Sequence, residues 1–93
     1  MTHKQKANAF KKKFGKNSRL VGIMNIVENP ESKKSKGKRG YSAVPFFLQN
    51  NSGTTLKEMR RFMKAHGQST LDLKKGGRIT GIGTGYTAIF KND

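Results

Sequence analysis

Four groups of cations define the chemistry open to this chain. Lys11, Lys12 and Lys13 are consecutive. Lys33, Lys34, Lys36, Lys38 and Arg39 crowd one short stretch, Lys57, Arg60, Arg61 and Lys64 recur along one helical face, and Lys74, Lys75 and Arg78 follow. Cations on flexible stems suit a polyphosphate, because each neutralised phosphate releases condensed counterions and that release drives binding. One charged run by itself is normally a solvated surface. Here 20 Lys+Arg stand against 5 Asp+Glu, a formal net charge of +15 on 93 residues. Self-repulsion at that charge opposes a compact state unless an anion offsets it. A pI near 10.6 therefore points to nucleic acid as partner, ahead of an anionic membrane surface.

Catalytic material is sparse. The five acids are scattered, with neither the spacing of a paired-carboxylate site nor that of a metal cluster. His3 lies at a terminus expected to fray, and His66 falls at the end of a helix, where a cation suits the dipole. Cysteine is absent, which removes disulfides, thiolate metal sites and a cysteine nucleophile and fits a reducing compartment such as the cytoplasm. The expectation is a protein that is not an enzyme and carries no cofactor. A small basic ribonuclease working with Tyr41, Arg60, Arg61 and His66 around a phosphate is the enzymatic alternative.

The segment Arg39–Phe46, RGYSAVPF, places an aromatic ring beside a cation. It resembles the octamer of RNA-recognition-motif domains: a basic residue, Gly, an aromatic, a small residue, an aromatic, an aliphatic, any residue and an aromatic. Arg39, Gly40, Tyr41, Val44 and Phe46 match that pattern, whereas Ser42 and Ala43 depart from it, Ala43 standing where a base-stacking aromatic belongs. The resemblance implies an RNA-binding strand with Tyr41 as stacking residue. That family begins β-α-β-β, while this chain begins with a helix and lacks the companion hexamer. Phe46 and Phe47 are adjacent, so on a strand one faces the core and the other the opposite side. The run Gly76–Gly85, GGRITGIGTG, invites comparison with a phosphate-binding loop. It lacks the Gly-Lys-Ser/Thr ending and leads into a strand, so a glycine-rich hairpin or bulged strand is the expected structure.

The elements that must position these residues follow from periodicity. Leu, Ile, Val and Phe together make 19 of the 93 residues, on the border between folded and disordered composition at this charge. One small domain over 1–93 is expected, with a small core and basic appendages. Residues 1–18 read as a basic helix or arm, with Ala7, Phe10 and Phe14 on one face, Lys4, Lys6 and Lys11–Lys13 over the rest, and Gly15 as a stop. Arg19–Glu28 reads as a central strand, being apolar on both faces. Residues 29–40 read as a mobile basic loop. Tyr41–Asn50 reads as a strand with a bulge or edge at Pro45, followed by a turn over Asn50–Gly53. Thr54–His66 reads as a helix, with Thr55 and Glu58 as a capping box, Leu56, Met59, Phe62 and Met63 buried, and Gly67 as its end. Ser69–Leu73 and Thr84–Lys91 read as strands. The order is α-β-β-α-β-β: an α+β fold, an antiparallel sheet with one helix packed on it and a basic helix in front.

The functional expectation is non-enzymatic binding of nucleic acid, RNA in preference to DNA, by electrostatic capture of phosphates with stacking on Tyr41 and on Phe46 or Phe47. In size and lysine-rich start the chain is also similar to small basic proteins that tailed phages make to redirect or block host factors. One such class counters host toxin–antitoxin ribonucleases while binding RNA. That resemblance implies a host protein as partner and the host-cell cytoplasm as compartment. A ribosomal protein shares the same charge and is the remaining alternative. No apolar run approaches ~18 residues, so no membrane-spanning helix is expected. A homodimer stays open as a way to enlarge so small a core.

Overall fold

The computed structural model describes residues 1–17, 19–23, 25–29, 40–49 and 53–92. Along the chain run α1 (His3–Phe14), β1 (Leu20–Ile23), β2 (Val27–Asn29), β3 (Tyr41–Leu48), α2 (Gly53–Ala65), a 3-10 turn (Thr70–Asp72), β4 (Leu73–Ile79) and β5 (Gly83–Lys91). The strands form one antiparallel sheet in the order β1-β3-β5-β4, with β2 also paired to β3. Both helices lie on one face of it. The fold is α+β, as the pattern predicts.

Helix α1 belongs to the core and is not an appendage. Thr2 and Gln5 close a capping box: the Gln5 amide N–H donates to Thr2 Oγ1 at 3.3 Å and the Thr2 N–H to Gln5 Oε1 at 2.9 Å. The expected fraying is absent at His3. Its backbone N–H donates to Asn92 Oδ1 at 2.7 Å, and its Nδ1 lies 2.7 Å from Ser42 Oγ. Ala7, Phe10 and Phe14 are buried as their spacing predicts. Phe10 stands at the centre of an aromatic cluster, with ring centroids 4.9 Å from Phe14, 5.6 Å from Phe46, 5.5 Å from Phe62 and 5.5 Å from Phe90. Lys6, expected on the solvent face, is buried, and its Nζ donates to Gln68 Oε1 at 3.0 Å. A lysine next to Ala7 comes inside because Gln68, from the segment that follows α2, is there to accept its hydrogen bond.

The segment expected as one central strand is two short strands at the sheet edge. Leu20 pairs with Leu48 and Ile23 with Phe46, while the register slips between Leu20 and Gly22. Val27 then pairs with Ala43, one residue further out of step. Each slip resets the alternation, so Leu20 and Ile23 reach the same face although three positions apart. Apolar residues on both sides of this segment thus reflect bulges, and not burial on both faces. Pro45 sits inside β3, a central strand, opposite Thr87 and facing the interval between Ile23 and Val27. The residue that cannot donate stands where the neighbouring strand is broken.

Helix α2 begins at Gly53, so Thr55 lies within its first turn. Thr55 is buried, and its hydroxyl accepts from Asn17 Nδ2 at 3.4 Å where the sequence suggested a cap. Met59, Phe62 and Met63 are buried and Leu56 is half-buried. Gly67 takes φ 72 and ends the helix: the Gln68 N–H donates to the Met63 carbonyl at 2.8 Å and the Gly67 N–H to the Lys64 carbonyl at 3.1 Å, the paired bonds of a Schellman ending.

Residues 70–72, expected in a strand, wind into the 3-10 turn, capped by Ser69. Strand β4 then runs straight through Gly76 and Gly77 with a register shift between Lys75 and Arg78, the bulged strand the glycines suggest. At Gly83 a Cβ would lie 2.1 Å from the Leu48 carbonyl oxygen and 2.7 Å from its carbon. Only glycine lets β5 start against the end of β3.

Candidate nucleic-acid interface

The alternation along the two central strands divides the sheet residues cleanly. Ser42, Val44, Phe46 and Leu48 of β3, with Ala88 and Phe90 of β5, are buried beneath the helices. Tyr41, Ala43, Pro45 and Phe47, with Gly85, Thr87, Ile89 and Lys91 opposite them, form the other face. No described helix covers that face. Tyr41 is 36% exposed, and Val27, which pairs with Ala43 on the same side, is 53% exposed. An exposed apolar strip bordered by charge is the signature of an interaction surface.

Two hollows lie on this face. One, of about 310 Å³, is bounded by Pro45, Phe47 and Thr87 together with the Gly76–Gly77 bulge and Arg78. The other, of about 390 Å³, lies at the opposite end among Tyr41, Ala43, Ile89, Lys91, Lys74 and Asp72. Tyr41 and Phe47 are thus two rings roughly 20 Å apart along one strand, each beside a hollow and each near a cation.

The cations anticipated as one binding set are distributed over two surfaces. Lys11, Lys12 and Lys13 of α1 and Lys57, Arg60, Arg61 and Lys64 of α2 are all exposed on the helical layer. The two runs meet where Lys13 Nζ lies 5.6 Å from the Phe14 ring centroid and 5.8 Å from that of Phe62. Lys74 lies on the open face opposite Thr87, whereas Lys75, opposite Tyr86, and Arg78, opposite Thr84, are exposed residues of the edge strand, Arg78 bordering the first hollow. Lys33, Lys34, Lys36, Lys38 and Arg39 lie outside the described residues. The Asn29–Tyr41 pair brings together the described residues on either side of that segment.

Phe46, one of the two stacking candidates, is fully buried and lies 5.8 Å from the Tyr86 ring at an interplanar angle of 16°. It is closed to any ligand, and Phe47 is the residue on the open side. The ribonuclease constellation is not assembled. Tyr41 is on the open face, whereas Arg60, Arg61 and His66 belong to the helical layer. The His66 ring stacks on Phe62 at 3.9 Å, and its Nδ1–H donates to the Phe62 carbonyl at 3.0 Å. The other imidazole–hydroxyl contact, His3 with Ser42, has its serine wholly buried, out of reach of a substrate. Among the described residues no three His, Cys, Asp or Glu side chains group to hold a metal.

Lys91, Ile89 and Asp72 are site residues that the charge runs do not reveal. Once Ala88 and Phe90 are known to face the helices, strand geometry puts Ile89 and Lys91 on the other side; for Asp72 there is no signal, because a single acid in a 3-10 turn carries no pattern.

The fold defines a two-layer α+β protein with one sheet face that no described helix covers and that carries aromatic and basic residues. Comparison with family models, with curated proteins and with solved structures finds no match to this chain. Among the described residues no helix is long and apolar enough to cross a membrane.

Proposed function

We propose that the chain binds single-stranded nucleic acid, RNA in preference to DNA, and catalyses no reaction. The observation that carries this reading is the uncovered sheet face, on which Tyr41 and Phe47 stand among Lys74, Arg78 and Lys91. Every base has a π-face, so exposed rings on a sheet accept bases with little regard to sequence, while nearby cations track the backbone. An open sheet face suits single strands, whose unstacked bases can splay out onto it. The cations of the helical layer supply long-range attraction and a second surface for phosphates. Self-association through the open face is disfavoured, since each copy carries a formal charge of +15.

The basic stretch between Asn29 and Gly40 is assigned to backbone capture. With Lys33, Lys34, Lys36, Lys38 and Arg39 all replaced by Gln, the slope of log K against log salt for a single-stranded RNA is expected to shallow by up to ~3.5, at ~0.7 per lost phosphate contact. Titrations at several salt concentrations read this directly. An unchanged affinity and slope would contradict the assignment. Tight stoichiometric binding to one host protein after nuclease treatment, with no RNA affinity, would favour the phage-type inhibitor reading.

A further inference from the structure

The hollow at the Tyr41 end contains a group that phosphate capture does not explain. It is lined by Tyr41, Ala43, Ile89, Lys74 and Lys91, yet its remaining lining residue is an acid, Asp72. Glu28 and Glu58, the other acids among the described residues, are placed elsewhere: Glu28 is in an ion pair with Lys4 at 3.5 Å, and Glu58 lies on α2. A carboxylate in a site for a polyanion repels phosphate, so its placement calls for another partner.

That carboxylate is firmly positioned. Its Oδ2 accepts from Gln68 Nε2 at 2.9 Å. Gln68 is only 7% exposed, and its Oε1 accepts both from Lys6 Nζ at 3.0 Å and from the Lys91 backbone N–H at 3.2 Å. Two donors fix the amide oxygen, so the amide nitrogen must face Asp72. Among the described residues Oδ1 of Asp72 takes no hydrogen bond. The buried lysine and glutamine thereby hold one free acceptor at the edge of a hollow beside an exposed aromatic ring.

We propose that this hollow is a base-selective subsite that takes a nucleotide whose base carries an exocyclic amino group, with Asp72 as the accepting group. The proposal rests on the single-strand binding argued above and names what that site selects. An ionised carboxylate only accepts hydrogen bonds. Cytosine presents its N4 amino group as a donor, whereas uracil has a carbonyl oxygen at the same position, which a carboxylate repels. The base stacks on Tyr41, and Lys74 and Lys91 reach its flanking phosphates.

Labelled oligo-rC and oligo-rU of equal length make the deciding pair, since the two bases differ little in size. The wild-type chain is expected to bind oligo-rC about 5- to 100-fold more tightly. In Asp72→Asn, whose side-chain oxygen can still accept from Gln68 while its amide also offers a donor, that ratio is expected to fall below about threefold, with oligo-rU bound at least as well as before. Equal binding of the two by the wild-type chain, or a preference that survives Asp72→Asn in a variant with unchanged circular dichroism, would overturn the subsite. Failure to bind either oligonucleotide would instead overturn the parent reading.

Discussion

Replacing Phe10 with alanine is expected to destabilise the fold by about 3–5 kcal/mol, the cost of removing a buried phenyl ring from a packed core. Phe10 is wholly buried and touches rings from α1, β3, α2 and β5, so the void cannot be filled by one neighbour alone. Native stabilities run to about 5–15 kcal/mol, and a chain this short sits at the low end. The variant should therefore be largely unfolded at physiological temperature. Urea denaturation followed by circular dichroism measures the loss. A cost below about 1 kcal/mol would mean that α1 is the loosely attached basic arm its composition suggests. Removing the exposed Lys12 side chain from the same helix should change stability by no more than about 0.5 kcal/mol.

The second large effect concerns binding alone. Tyr41→Ala and Phe47→Ala together are expected to weaken single-stranded RNA binding by about 2–6 kcal/mol, at ~1–3 kcal/mol for each base that loses its stacking partner. Neither substitution removes a charge, so the salt slope should stay where it was. This separates stacking from phosphate capture: the Gln variants of the basic stretch flatten the slope, whereas the ring variants lower affinity at every salt concentration alike. Fluorescence anisotropy at two or more salt concentrations, with circular dichroism to check folding, distinguishes the outcomes. An affinity unchanged by loss of both rings would transfer the binding to the helical layer, where Lys11–Lys13 and Lys57–Lys64 are gathered.

Local signals in the sequence carried most of the architecture. The 3.6-residue spacing of Met59, Phe62 and Met63 and the glycine at 67 define α2, and the aromatic and aliphatic run from Tyr41 to Leu48 marks β3, whose alternation between buried and open sides emerges only in the structure. What the sequence concealed was long-range. Arg19–Glu28 is apolar on both sides because bulges reset its alternation, and a bulge leaves no mark in a short run of Leu, Val, Gly and Ile. Lys6 reads as a surface residue because its burial depends on Gln68, 62 positions away. Thr2 and Gln5 cap α1 in the structure, whereas Thr55 and Glu58 mimic a cap two residues inside α2.

The candidate site divides in the same way. Net charge and Tyr41 are visible in the sequence, and the choice between Phe46 and Phe47 needs only the knowledge of which face the helices cover. That the other face is left open is a tertiary fact. So is the placement of Asp72 beside Tyr41, which depends on the 3-10 turn feeding β4 next to β5. Charge counting alone would have assigned the helical layer and the sheet to one continuous basic surface, although they lie on opposite sides of the molecule.

The nucleic acid is expected on the sheet face opposite the helices. Isotope-edited NMR of the full chain with a short single-stranded RNA tests it most directly, through contacts between base protons and protein side chains. Contacts are expected from bases to the Tyr41 and Phe47 rings and to the Ile89 methyl groups, with the Ala7 and Met63 methyl groups beneath the helices untouched. Base contacts confined to the helical layer, or no contact with the open face at saturating RNA, would contradict it.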